Sequence, residues 1–177
     1  MRRWFEAILN SNVGKALTDE QELVLALLAT ARARDAEIYI TIETYSILTK
    51  IIRNPPITKA IIANVQVLYP SEFFRRWVKR IEKITRLRRE DAKILAYGSL
   101  GTNIAKTQLG VDKILTLDKG LTSEFRKEEE RLTEELDALV KALPLSYKRA
   151  RLPEVIHPGP SELTGSAQES SLPLGGR

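Results

Sequence analysis

Two aspartates lie where an open α/β fold would bring polar groups together. Asp91 is in the first turn of a predicted helix over residues 89–99, and Asp118 directly follows a predicted buried strand at 113–117. A helix start and the carboxyl end of a parallel strand can meet at one edge of such a sheet, where these folds bind their ligands. Carboxylates are ligands that Mg²⁺ or Mn²⁺ prefers. The pair therefore predicts a divalent-metal site.

Each member of this pair also has a purely structural interpretation. A carboxylate in the first turn, such as Asp91, is stabilised by the helix dipole without any metal. Asp118 could instead cap the turn through Lys119 and Gly120. Thr116 is equally consistent with a hydroxyl that supports the site and with an ordinary strand residue. The metal hypothesis therefore depends on the two aspartates occurring together.

Composition excludes several other kinds of site. The 177 residues are 43% hydrophobic, enough for one domain with a sizeable core. The chain has no cysteine, and His157 is its only histidine, which excludes disulfides and disfavours zinc sites and serine or cysteine triads. The apolar runs are too short to span a bilayer, so we expect a cytoplasmic protein with no membrane partner. The 29% charged residues and the single methionine suggest a heat-adapted source.

Strand and helix patterns alternate along the chain. Period-two or β-branched runs predict strands, and 3.6-residue periodicity predicts helices. The predicted strands cover residues 4–9, 37–42, 65–69 and 113–117, with an edge strand at 153–156. The predicted helices cover residues 18–34, 42–53, 58–63, 71–84, 89–99, 103–108 and 123–142. This alternation favours a three-layer α/β/α sandwich around a parallel sheet of four or five strands. We expect one domain over 1–157 and a disordered Gly/Ser/Pro-rich tail over 158–177.

The acidic segments resemble motifs of the PIN-domain family between about residues 5 and 121. Residues 89–96, Arg-Glu-Asp-Ala-Lys-Ile-Leu-Ala, are similar to the third acidic motif of that family. Residues 114–118, Ile-Leu-Thr-Leu-Asp, are similar to the fourth. The resemblance implies a PIN-like fold and a magnesium-dependent ribonuclease site in which Asp91 and Asp118 are metal ligands.

Two further acidic positions of the family are altered in this chain. Residues 8–13, Ile-Leu-Asn-Ser-Asn-Val, fit the first motif, with Asn10 in place of its aspartate. Aligning residues 40–48 with the second motif places Ile47 at its glutamate. Asn10, or Glu43 one helical turn before Ile47, could complete the set of metal ligands around Asp91 and Asp118. The sequence thus predicts a degenerate site that binds Mg²⁺ or Mn²⁺ weakly or not at all.

A basic helix follows the third predicted strand. Its apolar residues recur at helical spacing, and the opposite face carries five cations: Arg75, Arg76, Lys79, Arg80 and Lys83. Residues 72–90 have five more positive than negative charges, equal to the net +5 of the whole chain. Such a face predicts salt-sensitive, sequence-independent contacts to RNA phosphates. The alternative is a merely solvated surface.

Three functional hypotheses follow. The first is a PIN-like RNA-binding or assembly protein with a degenerate metal site. The second is an active Mg²⁺- or Mn²⁺-dependent single-strand endoribonuclease that uses Asp91 and Asp118, with Asn10 or Glu43 completing the shell. The third is a structural oligomerisation module, in which the long helix over 123–142 and the tail contact a protein partner or a second copy.

Overall fold

The structure is a computed structural model that describes residues 3–5, 36–50 and 62–157. The predicted helix over 18–34, the remainder of the first strand with Asn10, and the tail over 158–177 lie outside these ranges. The described strands are β1 (Arg3–Phe5), β2 (Glu37–Thr41), β3 (Gln66–Leu68), β4 (Lys113–Leu115) and β5 (Glu154–Ile156). The described helices are α1 (Ile42–Lys50), α2 (Phe74–Ile84), α3 (Arg89–Leu100) and α4 (Lys119–Lys141), with a 3₁₀ turn at Leu145–Tyr147.

The strands form one sheet in the order β3-β2-β1-β4-β5, and every neighbouring pair is parallel. From β2 to β5, helices intervene between sequential strands, as parallel pairing requires. The mixed α/β class predicted from the sequence agrees with this arrangement. Because the strands are parallel, the chain leaves all of them at the same edge of the sheet, and α1 follows β2 there directly.

The predicted apolar stripe of α2 is the part of that helix that enters the core. Its buried residues are Phe74, Trp77, Val78, Ile81 and Ile84. Trp77 is fully buried and packs in the same apolar cluster as Leu95 of α3. Burying one large apolar side chain stabilises a fold by roughly 1.5–3 kcal/mol. This stripe orients α2 so that its cations face outward.

Two helices begin at other residues than predicted. α4 begins at Lys119 instead of residue 123, because the Asp118 carboxylate accepts hydrogen bonds from the amides of Gly120 at 2.7 Å and Leu121 at 3.1 Å. This is an N-cap, which satisfies amides that have no partner inside the helix. α2 begins at Phe74 instead of residue 71, and Ser71 does not cap it, since the Ser71 hydroxyl is buried without a hydrogen-bond partner.

The segment 103–108, predicted as a possible helix, is a loop. The Asn103 side chain accepts hydrogen bonds from the amides of Thr107 at 2.9 Å and Gln108 at 3.1 Å. Local side-chain bonds of this kind compete with helix formation. Lys106 also has a φ of 54°, in the left-handed region. Over the ranges described, no helix is both long and apolar enough to cross a membrane.

Candidate functional site at the carboxyl edge of the sheet

The carboxyl groups of Asp91 and Asp118 lie near enough for their charges to repel one another. Asp91 lies in the first turn of α3, and Asp118 lies between β4 and α4. Burial raises the pKa of Asp91 most, and repulsion from Asp118 raises it further. A hydrogen bond from the Arg88 amide opposes both effects and lowers this pKa. A raised carboxyl pKa means that the anionic form is disfavoured here.

Asp118 has a structural role alongside any role in binding. Its carboxylate caps α4, and its own amide donates to the Thr116 hydroxyl at 3.1 Å. Thr116 is buried, so this contact holds the segment between β4 and α4 in place. The predicted capping role of Asp118 is therefore confirmed at Gly120, but the carboxylate caps the start of a helix and its second donor is Leu121, not Lys119.

Glu43, the proposed substitute ligand, has a different partner. It lies in the first turn of α1 and accepts a hydrogen bond of 2.8 Å from the hydroxyl of Tyr97 on α3. Ile47, one turn further along α1, has 52% of its surface exposed. Within the described residues, no three acidic, histidine or cysteine side chains are close enough together to hold a metal ion. Glu43 is thus not grouped with Asp91 and Asp118.

The fit of these residues to a magnesium ion is therefore incomplete. Asp91 and Asp118 could supply two anionic oxygens, whereas the resembled family supplies a larger acidic set. Asn10 lies outside the described ranges. Magnesium keeps several waters and can be held by one or two carboxylates when substrate phosphates add ligands. We derive no catalytic step through a metal from this pair.

A basic groove lies between α2 and α3. Its volume is about 630 Å³, and its lining includes Glu43, Arg75, Lys79, Glu82, Arg89, Lys93 and Tyr97. Two of the cations have acidic neighbours: Arg89 lies 3.8 Å from Glu82, and Lys93 lies 2.9 Å from Glu90. For Arg75 and Lys79 the described part of the chain provides no ion pair. Arg75 and Lys79 are thus the cations of this groove for which the described residues provide no paired carboxylate, although Glu82 of the same helix also lines it.

The five predicted cations of α2 do not all face the same surroundings. All five are exposed. Arg80 lies toward α4, where Glu135 accepts hydrogen bonds from its guanidinium. Arg75 and Lys79 lie toward α3 and line the groove.

Arg89, Lys93 and Tyr97 were not among the predicted site residues. They lie at i, i+4 and i+8 along α3, so they share one face of that helix. This spacing was a readable signal for a polar face. Because most of α3 is buried, the sequence alone did not show which neighbouring helix this polar face contacts.

Comparisons with known protein families, with characterised proteins and with solved structures found no match to this chain. The resemblance to PIN domains therefore rests on the motif residues alone.

Proposed function

We propose that this chain is a PIN-like, nucleic-acid-associated protein that binds single-stranded RNA through the exposed basic face of α2, and that its divalent-metal site has degenerated. In this proposal the parallel sheet and its helices form the three-layer PIN-like sandwich. The protein acts by binding RNA or by assembling with RNA and further copies of itself, without cutting the strand.

The observation that carries the proposal is the charge of α2. Four of its exposed cations, Arg75, Arg76, Lys79 and Lys83, form no ion pair within the described residues, so no described carboxylate is in direct contact with them. The buried stripe on the opposite side of α2 fixes the direction in which they point. A row of such cations can replace the counterions condensed on a phosphate backbone.

Two substitutions support the degenerate site. Asn10 keeps an oxygen at the first acidic position but removes the charge that would offset the desolvation of a divalent ion. Ile47 removes a ligand at the second position. The two remaining carboxylates, Asp91 and Asp118, offer a divalent ion fewer anionic ligands than the resembled family supplies.

The test is a titration of labelled single-stranded RNA with the protein, in which binding is measured by fluorescence anisotropy. The titration is repeated between about 50 and 200 mM salt, a range over which phosphate contacts weaken strongly. We expect binding whose affinity falls steeply with salt. Absent binding, or an affinity that ignores salt, would overturn the proposal and favour the structural oligomerisation module.

The same RNA incubated with Mn²⁺ distinguishes the ribonuclease alternative. The observation that favours it is that the charges of Asp91 and Asp118 interact, because paired carboxylates are what a divalent ion needs. We expect intact RNA with both the wild type and the Asp91→Asn variant. Cleavage by the wild type that Asp91→Asn abolishes would instead establish an active enzyme.

A further inference from the structure

The lining of the basic groove includes an exposed carboxylate, that of Glu43, which has a hydrogen-bond donor on one side. The Tyr97 hydroxyl donates to Oε1 of Glu43 at 2.8 Å, and Tyr97 is only 2% exposed. Burial, and then Glu43 itself, raise the pKa of Tyr97 far above its ordinary value, so this hydroxyl stays protonated and remains a donor. A carboxylate offers about four lone-pair sites. Glu43 therefore keeps acceptor capacity for a ligand in the groove.

The groove presents unlike charges to that ligand. Arg75 and Lys79 line the same cavity as Glu43. Arg89 and Lys93 add positive charge, and Glu82, which lies 3.8 Å from Arg89, adds a second carboxylate. An inorganic anion would be attracted by the cations but repelled by Glu43, for which no cation is paired in the described residues. A ligand that suits both carries a phosphate for the cations and N–H donors for Glu43. A nucleotide unit of RNA has both, since its base can be recognised along the Watson–Crick edge when it is unstacked.

Among the four bases, guanine suits a carboxylate best. Its ring N1–H and its exocyclic amino group are adjacent donors, so both carboxylate oxygens can accept at once. Adenine and cytosine place an acceptor nitrogen beside their amino group, and uracil flanks its N–H with two carbonyls. Each of these acceptors would face the carboxylate and repel it.

We propose that the groove between α2 and α3 is a guanine-selective nucleotide subsite, in which Glu43 accepts from the Watson–Crick edge of guanine while Arg75 and Lys79 contact the adjoining phosphates. This inference rests on the proposed RNA binding and adds a base preference to it. Tyr97 acts as a positioning residue that holds Glu43 toward the groove.

The experiment compares short single-stranded RNAs that differ at one position, which holds guanine, inosine or adenine in otherwise uridine-only strands. Inosine keeps the N1–H and lacks the exocyclic amino group. We expect guanine to bind about tenfold more tightly than adenine, as for a bidentate contact to a base edge, with inosine between them.

The variants separate recognition of the base from general attraction. Glu43→Gln should bring the guanine-to-adenine ratio close to one, because an amide NH₂ would face the donors of guanine. Tyr97→Phe should lower the ratio part of the way. Lys79→Gln should weaken binding to all three RNAs alike and preserve the ratio. Glu134→Gln on α4 removes an exposed carboxylate outside the groove. It should change neither the affinity for the three RNAs nor the guanine-to-adenine ratio.

The outcomes are distinct. Salt-sensitive binding with equal affinity for the three RNAs, or a guanine preference that survives Glu43→Gln, overturns the guanine subsite and leaves the proposed function standing. No binding to any of the RNAs overturns both.

Discussion

Arg80 on α2 donates two hydrogen bonds to one carboxylate oxygen of Glu135 on α4, from Nε at 2.8 Å and from Nη2 at 2.6 Å. The pair joins two helices that are distant in sequence. It also gives Arg80 a protein partner, so this cation is less available to a phosphate than the others on α2.

The first prediction concerns this ion pair. Arg80→Gln should lower the free energy of unfolding by about 0.5 kcal/mol, the scale of an exposed pair, because the two side chains are 44% and 26% exposed. The slope of log K against log salt for RNA should stay unchanged. Urea denaturation and the RNA titration measure the two effects. Glu135→Gln is the matched control, because it removes the same ion pair and leaves Arg80 in place. A smaller slope of log K against log salt for Arg80→Gln would show that Arg80 does contact phosphate.

The second prediction concerns the remaining cations of α2. Replacing Arg76, Lys79 and Lys83 together by Gln should reduce the slope of log K against log salt by about two, since each contact to single-stranded RNA contributes roughly 0.7. The stability should change by less than about 0.5 kcal/mol, because exposed positions away from the buried stripe are tolerant. An unchanged slope would identify this face as a solvated surface.

The third prediction follows from the raised pKa of Asp91. The ordinary value is 3.8, and the folded protein holds the proton more tightly than the unfolded chain. Between pH 3.8 and the raised pKa of Asp91, the folded state therefore binds more protons than the unfolded chain. The free energy of unfolding falls as the pH rises through this window. Asp91→Asn should thus be more stable than the wild type at neutral pH, and the gain should disappear at the acid end. Unfolding measured from acid to neutral pH checks this, and a gain independent of pH would contradict it.

The fourth prediction separates the cap from the charge of Asp118. Asp118→Asn and Asp118→Ala both remove the repulsion on Asp91, but only Asn keeps a side-chain oxygen for the amides of Gly120 and Leu121. We expect the Ala variant to be less stable than the Asn variant by about 1 kcal/mol, the usual value of an N-cap. Thermal and urea denaturation of the two variants give the difference. Equal stability would mean that the cap contributes nothing measurable.

The fifth prediction concerns restoration of the acidic shell. Asn10→Asp combined with Ile47→Glu should raise the affinity for Mn²⁺, which isothermal calorimetry measures. Because Ile47 is half exposed, its replacement leaves no cavity in the core. Without metal, the added carboxylates should destabilise the fold through repulsion at the sheet edge. Equal Mn²⁺ binding by the wild type and the double variant would count against the degenerate-site hypothesis.

Local periodicity predicted most of the helices and strands that the structure describes, but not all of their bounds. The spacing of the apolar residues on α2 predicts both its buried stripe and its exposed basic face, because one helix period determines both. The start of α3 at Arg89 was predicted as well. The start of α4 was not, since Asp118 was assigned to a turn and the cap at Gly120 and Leu121 depends on local backbone geometry.

Contacts between residues that are distant in sequence could be identified only from the tertiary structure. Sequence spacing gives no information on the pairing of Glu43 with Tyr97 or of Arg80 with Glu135, because each pair lies on two helices whose relative placement depends on the packing of the whole core. The sequence by itself determined which faces are apolar, which are charged, and that two carboxylates lie at element ends. The folded chain decided that the charges of Asp91 and Asp118 interact while Glu43 bonds to Tyr97, because short-range periodicity orients a side chain about its own helix but does not select the helix that it faces.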